Sequence, residues 1–576
     1  MRKTIFIFIL LALFSCTEKS TEINQKADIV YFGGDIITME GSEPVYAEAI
    51  AVTNGEIIYV GTKEGAEKLI YSKTKKIDLQ GKTLLPGFID AHGHVSGYGM
   101  VSQVPDLSPP PYGAVSSIPD LQNVLRKYIA DNKSKLPKGT PILANGYDDA
   151  IMEEHLHPTA EQLDEISTEY PIYIEHASGH MGVGNSAFLK LLKVDYTSPN
   201  PEGGFMGRDD KTKKLTGKMT ENANIIALVT CAKLMKQEPK SEDQKFDALL
   251  AAEKEWFKNG QTTICDGRSA PDNIELIREA DSAGLLLADF VVLPDYDMNK
   301  QDLDELKKYY DNKEGHFKIG AIKMTFDGSP QGKSAWLTEP YLIPPDGQDA
   351  GFKGEPIYTE AAAYEGLKDI FSHGMRTHIH CNGDAAIDLG FKLIDSLKQE
   401  GLYTPNLRCV LVHSQVTRPD QVHLFKELGV MPSWFPTHVY LWGDWHVSSV
   451  LGINRASHIS PLNDGLRAGI MFTIHHDSPV TPPDLLTAVY AAVNRVTRSG
   501  KLLGGDQRIS PYDALKAITI NAAYQWNEEN RKGSLKIGKI ADFVILDKNP
   551  LKVNPLEIKD IKVSETIKEG RSVYKK

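Results

Sequence analysis

The stretch LLPGFIDAHGH, residues 84–94, decides the predicted fold because its apolar run ends in two histidines, His92 and His94, spaced one residue apart. Alternate residues of a β-strand point to the same face, so the two imidazoles can reach one ion. Histidine and carboxylate side chains are the ligands expected for zinc or a similar divalent cation. The stretch therefore predicts a strand that ends at a metal centre, with further ligands elsewhere in the chain.

Apolar strand candidates separated by helical patterns fill the middle of the chain. The helical patterns at 245–260 and 360–374 each end in a glycine just beyond the last periodic residue, which is a normal helix stop. Eight strands with helical crossovers predict an α/β fold, a (β/α)8 TIM-type barrel over residues 85–529. The strand candidates after the first are TTICDG (262–267), LADFVVL (287–293), GAIKMTFDG (320–328), RTHIHCNGD (376–384), CVLVHSQ (409–415), VMPSWFP (430–436) and MFTIHHD (471–477).

Both ends of the chain and one internal segment depart from this alternation. Residues 27–84 and 530–576 read as short strands with tight turns, and Asn54-Gly55 is a strong hairpin signal. We expect the two ends to meet in a composite β-sandwich. The stretch between His94 and Thr262 is far longer than one strand–helix unit. Residues from about 100 to 235 are therefore predicted to form an insertion after the first barrel strand, on the active-site face.

Metal-type side chains recur at the predicted carboxyl ends of the strands, where active sites of such barrels lie. The fourth strand ends near Lys323, the fifth at His380, the sixth at His413 and the eighth at Asp477. One histidine in an apolar run is more often a core or surface residue than a ligand. An ordered series that also includes the first-strand pair is hard to explain by core packing, so it predicts one divalent-metal centre.

Lys323 needs a separate explanation, because an ammonium group is repelled by a divalent cation. A lysine in GAIKMTFDG can simply extend its charged end out of a buried strand. Beside a metal, it makes sense if its nitrogen carries a carboxylate formed with carbon dioxide. That group would be an anionic bridge between two ions.

The overall composition limits the classes of partner. The 576 residues carry a formal net charge of −12, without a basic stripe, which argues against a nucleic-acid partner. The four cysteines beyond residue 16 lie in a large chain, which favours buried free thiols over a disulfide framework.

The first sixteen residues, MRKTIFIFILLALFSC, have a basic start and a short apolar core. This anatomy predicts a signal peptide over residues 1–15 and a lipidated Cys16. We expect an exported, membrane-anchored lipoprotein that faces the periplasm or the cell surface and contacts the membrane only through this anchor. A cleaved signal that leaves a soluble periplasmic protein and an uncleaved signal anchor are the alternatives.

Several stretches in combination resemble the amidohydrolase superfamily, with the amidohydrolase-3 group and its N-substituted formamide deformylases as the closest branch. The likeness covers nearly the whole mature chain. The stretches are GKTLLPGFIDAHGH (81–94), AIKMTFDGS (321–329), HIHCNGDAAID (378–388), VHSQ (412–415), HHDSPVTPP (475–483) and GSLKIGKIADFVILD (533–547).

This resemblance implies a metal-dependent barrel with a composite β-sandwich and one or two ions, zinc above all. The implied ligands are His92, His94, His380, His413 and Asp477, with Lys323 as a carboxylated bridge.

Three positions depart from the family's usual pattern without removing a ligand. Val412 stands where glutamate is common, Ala385 where arginine is common, and His475-His476 where Gly-Ser is common. We consider whether His476 faces the pocket, but the alternation of side chains beside Asp477 favours the opposite. These departures leave open which substrate is bound and how the residues around the ligands orient them.

The chemistry expected is hydrolysis of a non-peptide amide or formamide bond in a small molecule by metal-activated hydroxide. Asp477 is predicted to be the general base and then to deliver the proton to the departing nitrogen. His413, or His180 from the insertion stretch HASGHMGVGNSAF (176–188), is expected to steady the developing oxyanion.

The sequence leaves alternative functions open. A deaminase or cyclic-amide hydrolase of the same superfamily would use similar strand ends, and a non-catalytic ligand-binding lipoprotein would not need them. The sequence also permits a homo-oligomer.

Overall fold

The structure is a computed structural model that describes residues 26–134, 136–235, 245–345 and 347–576. The predicted signal peptide and Cys16 lie outside these residues, so their assignment stays a prediction. Across the four described ranges, no helix has both the length and the apolar character needed to cross a bilayer.

Strands and helices alternate through most of the described chain. In chain order the strands are β1 (Ile29–Ile37), β2 (Tyr46–Thr53), β3 (Glu56–Gly61), β4 (Lys75–Asp78), β5 (Thr83–Pro86), β6 (Phe88–Ile89), β7 (Ile142–Tyr147), β8 (Ile172–His176), β9 (Met181–Gly184), β10 (Gly204–Asp209), β11 (Lys214–Glu221), β12 (Gln261–Ser269), β13 (Asp289–Pro294), β14 (Phe317–Ile319), β15 (Ile322–Thr325), β16 (Thr377–Cys381), β17 (Val410–His413), β18 (Met431–Trp434), β19 (Thr473–Ile474), β20 (Phe543–Leu546), β21 (Val563–Lys568) and β22 (Arg571–Lys575). The α-helices are α1 (Lys63–Glu67), α2 (Val95–Val101), α3 (Ile118–Asn132), α4 (Ala160–Asp164), α5 (Ser186–Leu192), α6 (Asn222–Leu234), α7 (Asp247–Lys258), α8 (Pro271–Ser282), α9 (Tyr296–Asn299), α10 (Leu303–Leu306), α11 (Glu360–Ser372), α12 (Asp384–Gln399), α13 (Pro419–Leu428), α14 (Thr437–Trp445), α15 (Gly452–Ala456), α16 (Leu462–Arg467), α17 (Leu485–Asn494), α18 (Pro511–Ala517) and α19 (Ile520–Gln525).

Two parallel sheets carry the predicted strand ends. One has the strand order β14-β13-β12-β6, and the other has the order β15-β16-β17-β18-β19. They meet where Asp295 pairs with Lys323 in a parallel bridge. On the opposite side, the His94 backbone N–H donates to the Ser478 carbonyl at 2.7 Å. The loops after β6 and β19, which carry the first and last predicted ligands, are therefore held side by side.

The strand predicted at residues 320–328 is β15, and two residues separate it from the short strand β14 that precedes it. β14 ends at Ile319 and β15 begins at Ile322. The Cα of Gly320 lies close to β13 and to Trp526, and a Cβ at this position would stand 2.3 Å from Val291. This close approach leaves no room for a side chain, which accounts for the glycine. The next strand, β15, contains Lys323, whose side chain is buried.

The termini share one sheet with the order β22-β21-β20-β5-β1-β2-β3, and β4 pairs with β1. β20 runs antiparallel to β5, and Val544 pairs with Leu85. The first predicted ligand strand thus leaves this sheet at Pro86 and enters a parallel sheet at Phe88. A buried cluster that includes Tyr31 and Phe543 packs one face of the terminal sheet.

Residues between β6 and β12 form a separate mixed sheet with the order β10-β11-β9-β8-β7. Its own apolar cluster includes Leu121 of α3 and Ile174 of β8. The Trp442 indole N–H, from α14, donates to the Asp148 carboxylate just after β7 at 2.6 Å. Both side chains are buried, so this segment is attached to the parallel sheets by a polar contact that water does not reach.

The predicted helix stops and thiol states are confirmed. α7 is followed by Gly260 and α11 by Gly374, both with positive φ. The four cysteines of the described chain are buried free thiols, at positions 231, 265, 381 and 409.

Candidate metal centre

Two of the predicted ligands sit on the loop after β6 and share one carboxylate. His94 Nε2 lies 3.2 Å from Asp477 Oδ1, and His92 Nε2 lies 3.4 Å from the same oxygen. One ligand atom from each of these three side chains falls within 4.8 Å of the others. Residues 385 positions apart in the sequence therefore converge on a volume that can hold one ion.

Asp90 fixes the loop that carries the two histidines. Its Oδ1 accepts the His92 backbone N–H at 3.0 Å, and its Oδ2 accepts the Trp256 indole N–H at 2.9 Å and the Cys265 backbone N–H. Asp90 is fully buried. A buried carboxylate with three donors is rigidly placed, and it sets the position of the adjacent ligands.

Lys323 and His413 border the same volume from the neighbouring sheet. Lys323 Nζ lies 3.3 Å from His92 Nε2. His413 Nδ1 lies 4.0 Å from Asp477 Oδ2, and the rings of His92 and His413 are 5.4 Å apart. The structure thus brings the fourth, sixth and eighth strand ends to the first.

His380 continues the cluster away from Asp477. Its Nδ1 is 3.1 Å from His413 Nε2, while its Nε2 is 3.1 Å from the Gly328 carbonyl oxygen. With its hydrogen on Nε2, the ring donates to this carbonyl and turns the lone pair of Nδ1 towards His413. Asn382 Nδ2 lies 3.0 Å from the same Nε2 and donates to the same carbonyl at 2.9 Å. This orientation is the one that a metal-binding imidazole needs.

Two of these residues hold unusual backbone conformations. His413 has φ +68° and Asp477 has φ +55°, both in the left-handed region. Non-glycine residues enter this region seldom, and such positions collect at functional sites. His413 is the last residue of β17, and Asp477 follows the end of β19 by three residues.

Burial and neighbouring charge set the protonation of the cluster. Burial lowers the pKa of His92, of His380 and of His413 well below the usual value of an imidazole, so each ring is neutral and can offer a lone pair. Burial alone would raise the pKa of Asp477, but the adjacent imidazoles of His413 and His94 lower it well below its usual value. Burial also lowers the pKa of Lys323, to about 8.

His180 reaches the cluster from the inserted segment. It follows β8 and precedes β9, and its ring centroid is 5.3 Å from that of His380. Its Nδ1 is 2.9 Å from Glu221 Oε2, at the end of β11. Glu221 has φ +49°, a strained conformation for a glutamate. The carboxylate of Glu221 thereby orients the one inserted histidine that approaches the predicted ligands.

Of the His475-His476 pair, His475 is the residue that contacts a predicted ligand. His475 Nε2 lies 3.0 Å from His413 Nδ1. His476 instead lies 3.1 Å from Gln261 Oε1 and accepts the Ser478 backbone N–H. Counting two residues back from Asp477 along an extended chain identifies His475, so strand alternation contained the signal.

Buried neutral imidazoles, a carboxylate and a lysine at the carboxyl ends of parallel strands define the class of metal-binding hydrolases. The chain belongs to the amidohydrolase family, because the sequence model of that family matches residues 75–574. It is accordingly a hydrolase of carbon–nitrogen bonds other than peptide bonds.

Three other proteins are similar to this chain over most of its length. The N-substituted formamide deformylase of Arthrobacter pascens is 25% identical, over 96% of this chain and 99% of its own length. The protein LONG AFTER FAR-RED 3 of Arabidopsis thaliana is 29% identical, over 91% of this chain and 88% of its own. The crystal structure of an uncharacterized metal-dependent hydrolase from Pyrococcus horikoshii superposes with a TM-score of 0.69 at 24% identity, and the match covers 92% of this chain and 99% of that one.

Proposed function

We propose that the protein hydrolyses small N-substituted formamides or related amides at a divalent-metal centre. One observation carries the proposal: ligand-type atoms from the ends of four separate strands meet around Asp477, with the imidazoles of His94 and His413 on its two sides. The similarity to a formamide deformylase over nearly the whole chain supports the substrate class. The residues that would hold the metal are His92, His94, Lys323, His380, His413 and Asp477.

The side chains present fit such a group. The lone pair of His380 Nδ1 faces His413 Nε2 at 3.1 Å, and a buried, deprotonated Asp477 carboxylate offers the negative charge. A zinc ion bound here would supply a Lewis acid that polarises a carbonyl and brings the pKa of water to about 7. The cluster has one end at Asp477 and the other at His380, and we propose that it holds one ion or two.

Lys323 is proposed to react with carbon dioxide and become an anionic bridge. Carboxylation needs the neutral amine, and the lowered pKa of about 8 makes that form accessible near neutral pH. The 3.3 Å distance from Lys323 Nζ to His92 Nε2 supports the proposal, because a carboxylate formed on this nitrogen would lie beside a proposed ligand. Carbon-13 bicarbonate should give a carbamate NMR signal in the wild type that is absent in Lys323→Arg.

Asp477 is proposed to accept the proton of the attacking water and to pass it to the leaving nitrogen. Its carboxylate is held between His94 and His413, so it needs little reorganisation during transfer. His413, or His180 held by Glu221, is proposed to steady the negative charge that develops on the carbonyl oxygen.

The wider architecture is proposed to be a (β/α)8 barrel over residues 85–529, formed by the two parallel sheets. Backbone contacts between their edges support this. The terminal sheet is proposed to be the composite β-sandwich of residues 27–84 and 530–576, and residues 100–235 the insertion.

Export with lipidation of Cys16 is proposed from the signal anatomy alone. Labelled palmitate should enter the wild type and not Cys16→Ala, and label in both would contradict the anchor. A homo-oligomer is likewise a proposal, and light scattering tests it.

Metal analysis together with a substrate panel tests the function. We expect at least one divalent ion per chain and turnover of N-formyl or N-acyl amines. Turnover confined to an aminated heterocycle or a cyclic amide would overturn the proposal in favour of the alternative enzymes. A protein that holds no metal and turns over none of these would point to ligand binding without catalysis.

A further inference from the structure

His475 is a buried histidine that the proposed mechanism does not use. It stands directly after β19, and its backbone N–H donates to the Trp434 carbonyl of β18 at 3.2 Å. Its side chain is wholly buried. Each of its ring nitrogens has one polar neighbour: Nε2 is 3.0 Å from His413 Nδ1, and Nδ1 is 2.9 Å from Ser433 Oγ.

These contacts form one continuous chain of polar groups. It runs from Ser433 through His475 and His413 to His380, and it ends at the Gly328 carbonyl. A hydrogen on His380 Nε2 points to this carbonyl and leaves the lone pair of Nδ1 towards His413. Which nitrogen of His413 carries the hydrogen then depends on the group next to its other ring nitrogen, Nδ1, and that group is His475.

A cation between His380 and His413 requires a particular arrangement of hydrogens. His413 must then present the lone pair of Nε2, so its single hydrogen sits on Nδ1. That hydrogen needs a buried acceptor, and His475 Nε2 is the atom in place at 3.0 Å. His475 in turn keeps its hydrogen on Nδ1 and donates it to Ser433 Oγ.

We infer that His475, supported by Ser433, is a positioning residue that holds His413 in the tautomer and ring orientation that a metal ion requires. The inference rests on the proposed metal centre. It goes beyond that centre by adding two residues outside the ligand set. A hydrogen-bonded partner behind a metal-binding histidine typically changes metal affinity by about 10- to 100-fold.

Packing alone is the competing explanation. The ring of His475 stacks on Phe435 with centroids 5.0 Å apart and an interplanar angle of 28°. A phenylalanine at position 475 would keep a flat ring of similar size and remove both nitrogens. His475→Phe therefore separates stacking from hydrogen bonding.

The experiment uses the full chain and titrates zinc against a competing chelator. We expect His475→Phe to weaken zinc binding by about 10- to 100-fold and Ser433→Ala to weaken it less. His475→Gln, whose amide oxygen can accept the His413 hydrogen, should restore most of the affinity. The exposed His423 provides a control, since His423→Phe should bind zinc as the wild type does.

Thermal unfolding of the metal-free variants separates folding from binding. If metal-free His475→Phe melts at a temperature far below that of the metal-free wild type, its zinc affinity is left out of the comparison. The zinc affinity of Ser433→Ala, on the neighbouring strand, then decides between positioning and packing. Unchanged affinity in both Ser433→Ala and a folded His475→Phe would overturn the inference.

X-ray absorption of the zinc-loaded proteins excludes direct ligation. Equal numbers of imidazole ligands in the wild type and His475→Phe support positioning, whereas one fewer in the variant would make His475 a ligand and overturn the inference. If the wild type itself bound no divalent ion, the proposed function would fail first, which is a distinguishable result.

Discussion

Replacing Asp477 by asparagine tests the centre of the proposed mechanism with little change in shape. Asparagine has the same size as aspartate and is among the residues that tolerate a left-handed backbone, which Asp477 adopts at φ +55°. The variant should therefore fold, with a loss of less than about 2 kcal/mol in the free energy of unfolding. Circular dichroism during heating checks this.

The rate should fall far more than the stability. The carboxylate at 3.2 Å from His94 and 3.4 Å from His92 is the only deprotonated acid of the described residues placed between those two rings. Loss of a general base typically costs about 100- to 10,000-fold in rate, or roughly 3–5 kcal/mol of barrier. Loss of a charged ligand adds to this through weaker metal binding.

The assay is turnover of an N-formyl amine at saturating zinc, with the bound metal measured in the same samples. Asp484→Asn is the matched control. Asp484 caps α17 by accepting the Leu486 and Thr487 backbone N–H groups, and asparagine caps a helix equally well. Wild-type turnover by Asp477→Asn would refute the reasoning, whatever its metal content.

Three further predictions concern stability and metal linkage. Trp442→Phe removes the buried donor to Asp148 and should cost about 1–3 kcal/mol of unfolding free energy in urea titrations, whereas Trp445→Phe, at a half-buried indole, should cost less. Burial alone lowers the pKa of His176, but the carboxylates of Asp148 and Asp149 raise it to about 9 from an ordinary 6.5. At pH values below the ordinary pKa of 6.5, the charged ring therefore contributes about 3 kcal/mol to the free energy of unfolding. This contribution is lost as the pH rises through 9. Urea unfolding at about pH 6 and about pH 10 should show the loss in the wild type but not in His176→Gln, and equal losses would contradict it. Finally, chelation should abolish turnover and lower the melting temperature, and zinc at about 1,000 times its Kd should restore about 4 kcal/mol. A melting temperature insensitive to chelator would count against the centre.

The strand ends were predictable because they depend on local periodicity. Apolar runs ending near His380 and His413 need only the alternation of side chains and the rule that parallel strands present their carboxyl ends together. His92 and His94 were expected on the strand itself, but β6 ends at Ile89 and both lie on the loop beyond it, which Asp90 holds through the His92 backbone N–H. The ends of the helices before Gly260 and Gly374 were also predictable from the local sequence. These features require no knowledge of which strands are neighbours in space.

The remaining features depend on contacts between distant segments. The Glu221 carboxylate meets His180 because β11 pairs with β9, and no periodicity encodes that pairing. Trp442 meets Asp148 across 294 residues. His475 was not singled out, because its contact with His413 joins the ends of two different strands, and alternation along one strand does not show which strands are neighbours.

The left-handed turns at His413, Ser414 and Asp477 limit how this catalyst can be redesigned. Histidine, asparagine and aspartate are the side chains most often found in that conformation, and two of them are also good zinc ligands. Backbone geometry and coordination chemistry thus favour the same few residue types at His413 and Asp477. A saturation library there should yield very few folded members with β-branched residues, so new reactivity is better sought in the surrounding residues than at these two turns.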